Sequence, residues 1–204
     1  MKKFINLCFI GFLLSSCTRH ELTNLNLSSS YFPNDVGNYW TYRLTSANGD
    51  IDTVVIRIVD KTILSFGDEA TIWELDFGHS IDTNYVVDKN NTVTIYNAAI
   101  AKISYNTEQN ELMKYSFPLQ VENELVYNNL KTKVTNQTDI KVEAGSFLKC
   151  FQITYSNQGL SFNSINDTIF FKESIGIIKR YQHQYNLTPI KGNGIWELIS
   201  YHLE

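Results

Sequence analysis

Apolar and polar side chains alternate with a period of two along most of this chain after residue 31. Such alternation is typical of strands with one buried face, because successive side chains of a strand point to opposite faces. Short polar segments rich in Asn and Gly separate the alternating stretches, as the turns between antiparallel strands require. The pattern therefore predicts about ten to twelve antiparallel strands. Clear stretches include 40–44, 54–58, 73–77, 93–95, 113–117, 151–155 and 177–181.

These strands are expected to form one all-β domain over residues 31–204. No linker, fixed-period repeat or low-complexity run divides this range, and sequential strands with short turns pair as hairpins and meanders. A curved sheet, a half-barrel and a sandwich all fit the pattern. Only Glu108–Lys114 and Asn123–Leu130 have room for a helical turn or two. The side chains expected in the interior are Trp40, Ile56, Trp73, Phe151, Ile153 and Ile177.

The composition indicates a folded chain and excludes one class of partner. Apolar residues make up 43% of the 204 residues and aromatic residues 13%, which is too much for a disordered chain. The chain has 17 Lys and Arg against 21 Asp and Glu. Because such a balance provides no basic surface for phosphate groups, no nucleic-acid partner is expected.

Residues 1–16 have the pattern of an export signal. Lys2 and Lys3 form a positively charged start, and the apolar run Phe4–Leu14 follows. As a helix this run would be about 17 Å long, whereas the hydrocarbon core of a bilayer is ~30 Å thick. The segment therefore predicts export and cannot itself anchor the mature protein.

The sequence Leu14-Ser15-Ser16-Cys17 ends the apolar run. It resembles the lipobox of bacterial lipoproteins, in which small residues admit a signal peptidase and the cysteine thiol takes a diacylglyceryl group. The resemblance implies that Cys17 is the lipid-attachment residue and that the acyl chains bind the membrane. Thr18 favours the outer membrane in that family, and residues 17–30 would be the lipidated N-terminus and flexible tether. The alternative is an ordinary signal peptide with a chance cysteine.

Three further segments resemble a group of small Gram-negative lipoproteins. Residues 37–42 match a Gly-x-x-Trp-x-Tyr start of the first strand, after Tyr-Phe-Pro at 31–33. Residues 142–150 match a Val-x-Ala-Gly-Ser-Phe-x-x-Cys turn, and residues 172–179 match a later strand start. The resemblance implies architecture and no activity. Two glycines in these segments, Gly145 and Gly176, suit turns or bulges that need a positive φ.

Four aromatic residues are candidate ligand-binding residues: Tyr39, Trp40, Tyr42 and Trp196. Aromatic side chains at strand spacing can line a groove for an apolar or sugar ligand. The more common role of such a stripe is to fill the core, and this alternative is the stronger of the two.

No pattern in the chain points to catalysis, a metal or a cofactor. The four histidines lack metal-ligand spacing, and neither a Gly-x-Ser-x-Gly elbow nor a phosphate loop is present. A glycosidase pair contributed by distant strands stays open. Since Cys8 lies in the signal and Cys17 carries lipid, Cys150 is expected to be a buried, unpaired thiol.

These features predict a lipid-anchored protein of the cell envelope, on the outer membrane, that acts as a non-enzymatic binding or interaction module. Its partner would be a protein or an apolar ligand, and no oligomeric state is indicated. The alternative is a carrier that holds a lipid or lipoprotein in a β cavity. An envelope hydrolase is the third interpretation.

Overall fold

The computed structural model describes residues 31–97, 111–127, 130–157, 164–185 and 192–204. Within these ranges the chain forms thirteen β-strands, whereas about ten to twelve were expected. One of the thirteen has only two residues. The strands are β1 (Tyr39–Thr45), β2 (Ile51–Ile63), β3 (Glu69–Asp76), β4 (Ile81–Lys89), β5 (Thr92–Asn97), β6 (Glu111–Ser116), β7 (Glu124–Tyr127), β8 (Leu130–Val142), β9 (Gly145–Asn157), β10 (Ser164–Lys172), β11 (Gly176–Gln182), β12 (Gln184–Tyr185) and β13 (Gly194–His202).

The strands form a single antiparallel sheet in the order β6-β5-β4-β3-β2-β1-β13-β11-β10-β9-β8-β7, and β12 pairs with β10 off this path. The last strand lies against the first and joins the two halves of the sheet. The sheet curves until it nearly closes as a barrel. The Tyr155 hydroxyl on β9 donates a hydrogen bond to the Leu112 carbonyl on the edge strand β6. The predicted all-β fold is confirmed, and among the three expected forms the structure agrees with the curved sheet or half-barrel.

Short turns of Asn and Gly residues connect neighbouring strands, as expected. Asn90 and Asn91 connect β4 to β5 and have φ values of 53° and 60°. Two successive residues with positive φ form a hairpin turn whose twist matches that of the strands. Gly145 begins β9 with a φ of 142°, and Gly176 begins β11 with a φ of 104°. Both predicted glycine positions therefore have positive φ.

Both segments considered for helical turns contain strands instead. Of residues 108–114, those from Glu111 onward belong to β6, and the second segment contains β7. The side chains of Met113 and Tyr115 in β6 and of Phe117 directly after it follow a spacing of two and are all buried. Burial of one strand face against the core outweighs the weak local preference for a turn.

Phe32, in the segment before β1, packs inside the curved sheet between its two halves. Its ring centroid lies 5.6 Å from that of Trp73 on β3 and 5.9 Å from that of Phe171 on β10. The rings of Tyr115 and Phe117 lie at 6.4 and 6.1 Å. Because β3 and β10 lie in opposite halves of the sheet, this one side chain packs the halves against each other.

Three of the six expected interior residues, Trp40, Phe151 and Ile153, are buried. Ile56, Trp73 and Ile177 are only partly buried and pack against the core. On β11, Ile178 is fully buried, and Ile177 lies opposite the buried Phe171 and packs against the same core. The pairing of β10 with β11 shifts by one residue at this point. Beyond the shift, Arg180 lies opposite the buried Ile169 and faces the interior, where the alternation from Ile177 had predicted an outward position.

Candidate functional site

Three of the four predicted ligand-binding residues lie together inside the sheet. Trp40, Tyr42 and Trp196 are 2–4% exposed and belong to one apolar cluster. Tyr39 is 40% exposed and stacks on His202, with ring centroids 5.4 Å apart. Tyr39 therefore occupies the opposite face of β1, and the four residues do not share one groove.

The polar atoms of the three buried aromatic residues are bound to backbone carbonyls. Trp40 Nε1 donates to the Ile175 oxygen at 2.7 Å, and the Tyr42 hydroxyl donates to the Ile177 oxygen at 2.9 Å. Trp196 Nε1 donates to the Gly192 oxygen at 2.7 Å. These bonds give the three residues a structural role, whereas their role in binding a ligand stays a prediction.

A row of polar residues lies in the interior of the sheet on the neighbouring strands β8, β9, β10 and β11. Thr132 on β8 pairs with Tyr155 on β9, and Tyr155 pairs with Asp167 on β10. From β11, Arg180 Nη2 reaches the Asp167 carboxylate at 2.5 Å. Sequence reasoning missed this pair, although Asp167 and Ile169 share the alternation that buries one face of β10.

The tyrosines around this pair are held in their neutral form. Burial raises the pKa of Tyr155 to about 12, and it also raises the pKa values of Tyr42 and Tyr115. Removing a hydroxyl from water disfavours its anion. At neutral pH these groups can donate and accept hydrogen bonds, but none supplies a phenolate nucleophile or base.

A half-open cleft of about 200 Å³ lies between the segment before β1 and the inward faces of β2, β3 and β4. Phe32, Ala70 and Val86 form its apolar part. Its polar groups belong to Asn34, Asp35, Lys61, Glu69, Thr71 and Asp88. The cleft joins residues that are up to 56 positions apart, from Phe32 to Asp88, so no local motif marks it. A weak signal was Asp88, which lies two residues after the buried Val86 on the same face of β4.

Hydrogen bonds fix one wall of the cleft. Asn34 Oδ1 accepts hydrogen bonds from Thr71 Oγ1 at 2.5 Å and from Trp73 Nε1 at 2.9 Å. On another side, Lys61 Nζ lies 3.2 Å from Glu69 Oε1. The cleft thus combines carboxylates, an ammonium, an amide and a hydroxyl around a small apolar floor.

Comparisons of this chain with protein-family models, with curated proteins and with solved structures found no match.

Of the remaining expected sites, the structure describes Cys150 but not Cys17. Cys150 is buried and unpaired, as expected. The lipid-attachment residue Cys17 and the tether lie outside the described residues. Within the described ranges, no three His, Cys, Asp or Glu side chains are placed to hold a metal ion. In the same ranges, no helix has the length and hydrophobicity needed to cross a membrane.

Proposed function

We propose that the protein is a binding or interaction module of the cell envelope that is anchored by lipid on Cys17, resides at the outer membrane, and acts without catalysis. The export signal and lipobox supply the anchor, and the curved sheet supplies a rigid scaffold. The tether leads directly to the segment that carries Phe32 and Asn34.

The aromatic packing around Phe32 is the observation that carries this proposal. A carrier of lipid or lipoprotein needs a cavity for acyl chains. Among the residues that the structure describes, the Phe32 ring lies between the halves of the sheet, with four aromatic ring centroids within 6.4 Å. Close packing at this position favours recognition by the surface and by the cleft over storage of an apolar ligand.

The state of the interior polar groups supports a role without catalysis. The Asp167 carboxylate accepts hydrogen bonds from Arg180 and from the His183 backbone N–H. The nearby tyrosines have raised pKa values because they are buried. A general acid or base works best when its pKa lies near the operating pH, and burial moves the pKa values of these tyrosines away from neutral pH.

Fractionation of host cells tests the anchor. Wild-type protein should partition with outer membranes, and the Cys17→Ala variant should lose this attachment. Cys150→Ala is the matched control, because it removes the buried cysteine and should leave the protein in the membrane fraction. Full membrane retention of the Cys17→Ala variant would contradict the proposal that lipid on Cys17 anchors the protein.

Native mass spectrometry of the full chain, extracted in mild detergent, tests the binding role. A stoichiometric protein or small-molecule partner supports the module. Lipid retained by the Cys17→Ala variant would support the carrier instead. Turnover on a panel of glycans and esters that is lost in a single Asp, Glu or Ser variant would contradict the non-enzymatic role.

A further inference from the structure

We propose that the nearly closed sheet opens reversibly along the line where its edge strands β6 and β7 face each other, and that this opening admits water to the polar part of the interior. We call this line, between Glu111–Ser116 and Glu124–Tyr127, the seam. Such an opening is a conformational property that the proposed binding function does not require.

The seam lacks the backbone pairing that joins the other neighbouring strands in the sheet order. In the part of the chain that the structure describes, no backbone hydrogen bond connects β6 to β7, because β6 pairs with β5 and β7 pairs with β8. The loop 117–123 connects the two strands at one end of the seam. Near this end Tyr115 and Phe117 pack on Phe32, with ring centroids 6.4 and 6.1 Å away. The loop end is therefore fixed, and the opposite end is the one that can separate.

Two tyrosine side chains hold that opposite end closed. The Tyr155 hydroxyl on β9 donates to the Leu112 carbonyl on β6. The Tyr127 hydroxyl on β7 lies 2.9 Å from the Tyr155 oxygen and donates to it. Lys114 on β6 adds a cation–π contact, with its Nζ 5.5 Å from the centre of the Tyr127 ring. These side-chain contacts can break and re-form while every strand ladder stays intact.

Buried polar atoms without a protein partner lie behind the seam. Thr132 pairs with Leu125 of β7 on one side and with Tyr155 on the other. It is 6% exposed, and its Oγ1 has no hydrogen-bond partner among the described residues. The same is true of Arg180 Nε, from β11. An unpaired buried polar atom destabilises the closed state. Opening lets water bond to such atoms, and this favours the open state.

Met113 and Cys150 are natural reporters of local and general opening. The chain has two methionines, and Met1 lies in the export signal, so Met113 is the one methionine of the domain. Met113 lies on β6 beside Leu112 and is 8% exposed, whereas Cys150 is fully buried in a different apolar cluster. Peroxide oxidises a methionine sulfur that it can reach, and a thiol reagent labels an accessible cysteine. Oxidation of Met113 therefore measures opening of the seam, and labelling of Cys150 measures wider unfolding.

The wild-type chain in detergent provides a test without any substitution. Hydrogen peroxide and a thiol reagent are applied in separate experiments, and the peptides with Met113 and Cys150 are followed by mass spectrometry. Each rate is compared with the rate in denaturant. Met113 oxidation should be suppressed less than Cys150 labelling, because the seam opens without unfolding of the domain.

Variants of the seam contacts test the mechanism of opening. Tyr155→Phe removes the hydroxyl that bonds to Leu112, so Met113 should oxidise about tenfold faster, the factor expected for loss of one buried hydrogen bond. Lys114→Gln removes the cation–π contact and should give a smaller increase of about twofold. In both variants the labelling of Cys150 should stay at the wild-type rate.

Matched substitutions outside the seam are the controls. Tyr42→Phe also removes a buried hydroxyl that donates to a backbone carbonyl, that of Ile177. Lys61→Gln also removes an ammonium from a pair, here with Glu69. Neither variant should change the oxidation of Met113.

Four outcomes would overturn the opening of the seam. In the wild type, equal suppression of Met113 oxidation and Cys150 labelling would mean that only general unfolding exposes Met113. An unchanged oxidation rate in Tyr155→Phe would mean that its hydroxyl does not hold the seam. An equal increase in Tyr42→Phe, or a parallel increase of Cys150 labelling in Tyr155→Phe, would show loss of stability throughout the domain.

Discussion

Arg180 and Asp167 form an ion pair inside the curved sheet, where the Asp167 side chain has no exposed surface and that of Arg180 is 17% exposed. The second carboxylate oxygen of Asp167 accepts a hydrogen bond from the His183 backbone N–H at 2.9 Å. Withdrawing two charges from water costs several kcal/mol, which only close pairing and further hydrogen bonds offset. The pair links β10 to β11 and to the residue that follows β11.

Removing one partner of this pair should destabilise the protein strongly. Arg180→Met leaves the Asp167 carboxylate buried without its cation, so we expect the free energy of unfolding to fall by about 3–5 kcal/mol. The double variant Arg180→Met/Asp167→Leu should recover most of this loss, because no charge is then left buried. Urea unfolding of the three proteins measures both effects. A loss below about 1 kcal/mol for Arg180→Met would mean that water reaches the carboxylate.

Gly194→Ala should be far more destabilising than Gly49→Ala. Both glycines have positive φ, 146° and 90°, so both substitutions strain the backbone. A Cβ on Gly194 would lie 2.3 Å from the Thr45 carbonyl oxygen of the paired strand, whereas a Cβ on Gly49 meets nothing within 4 Å. We expect a loss of about 1–2 kcal/mol for Gly49→Ala and a clearly larger one for Gly194→Ala. Equal midpoints of thermal unfolding would contradict the close approach.

Acid should weaken the contacts between β1, β13 and β11. The hydrogen bond from Lys179, at 2.8 Å, holds the pKa of Glu197 below its ordinary 4.5, and Arg43 acts in the same direction. A carboxylate whose pKa is lower in the folded protein stabilises the fold above its unfolded pKa. This stabilisation is lost as the pH falls below 4.5 and through the folded pKa.

Glu197→Gln should therefore lower stability at neutral pH and reduce the loss of stability on acidification. Chemical unfolding at several pH values measures the slope. Asp52→Asn makes the same change of charge at an exposed site and serves as the comparison. A Glu197→Gln protein with the acid dependence of the wild type would show that the Lys179 contact contributes nothing.

The Cys150 thiol should react slowly in the native protein. Its side chain is fully buried, its Sγ lies 3.5 Å from the Phe147 carbonyl oxygen, and burial raises the pKa of the thiol. Since the thiolate is the reactive form, both access and ionisation limit the reaction. Labelling of the peptide that contains Cys150, followed by mass spectrometry, should be fast only in denaturant. Leu148→Cys in a Cys150→Ala background places a thiol at an exposed position of the same strand, and it should label rapidly.

Features that depend on neighbours in sequence were predictable. The turn at Asn90 and Asn91 and the positive φ of Gly145 and Gly176 follow from backbone preferences of single residues. Strand class follows from the alternation itself, since one buried face requires it. The change of register on β11 was not predictable from the segment alone, because Ile177 and Ile178 are equally apolar. The shift occurs in the pairing with β10, a different strand.

The candidate site depends still more on distant residues. Asn34 reaches Thr71 and Trp73, which lie 37 and 39 positions away. The hydrophobic periodicity of a single segment contains no information about that contact. Of the four aromatic residues selected from the sequence, Trp40, Tyr42 and Trp196 are buried in the core. Tyr39 lies on the opposite face of β1 and is exposed.

The all-β class, the main turns and the pattern of the export signal follow from the sequence, because hydrophobic periodicity, backbone preference and peptide motifs are properties of short segments. The pairing of β13 with β1, the packing of Phe32 between the halves of the sheet and the cleft against β2–β4 become visible only in the folded protein. Each of these features brings together residues far apart in the chain. Their positions are set by the burial and pairing of the whole sheet, which no short segment contains.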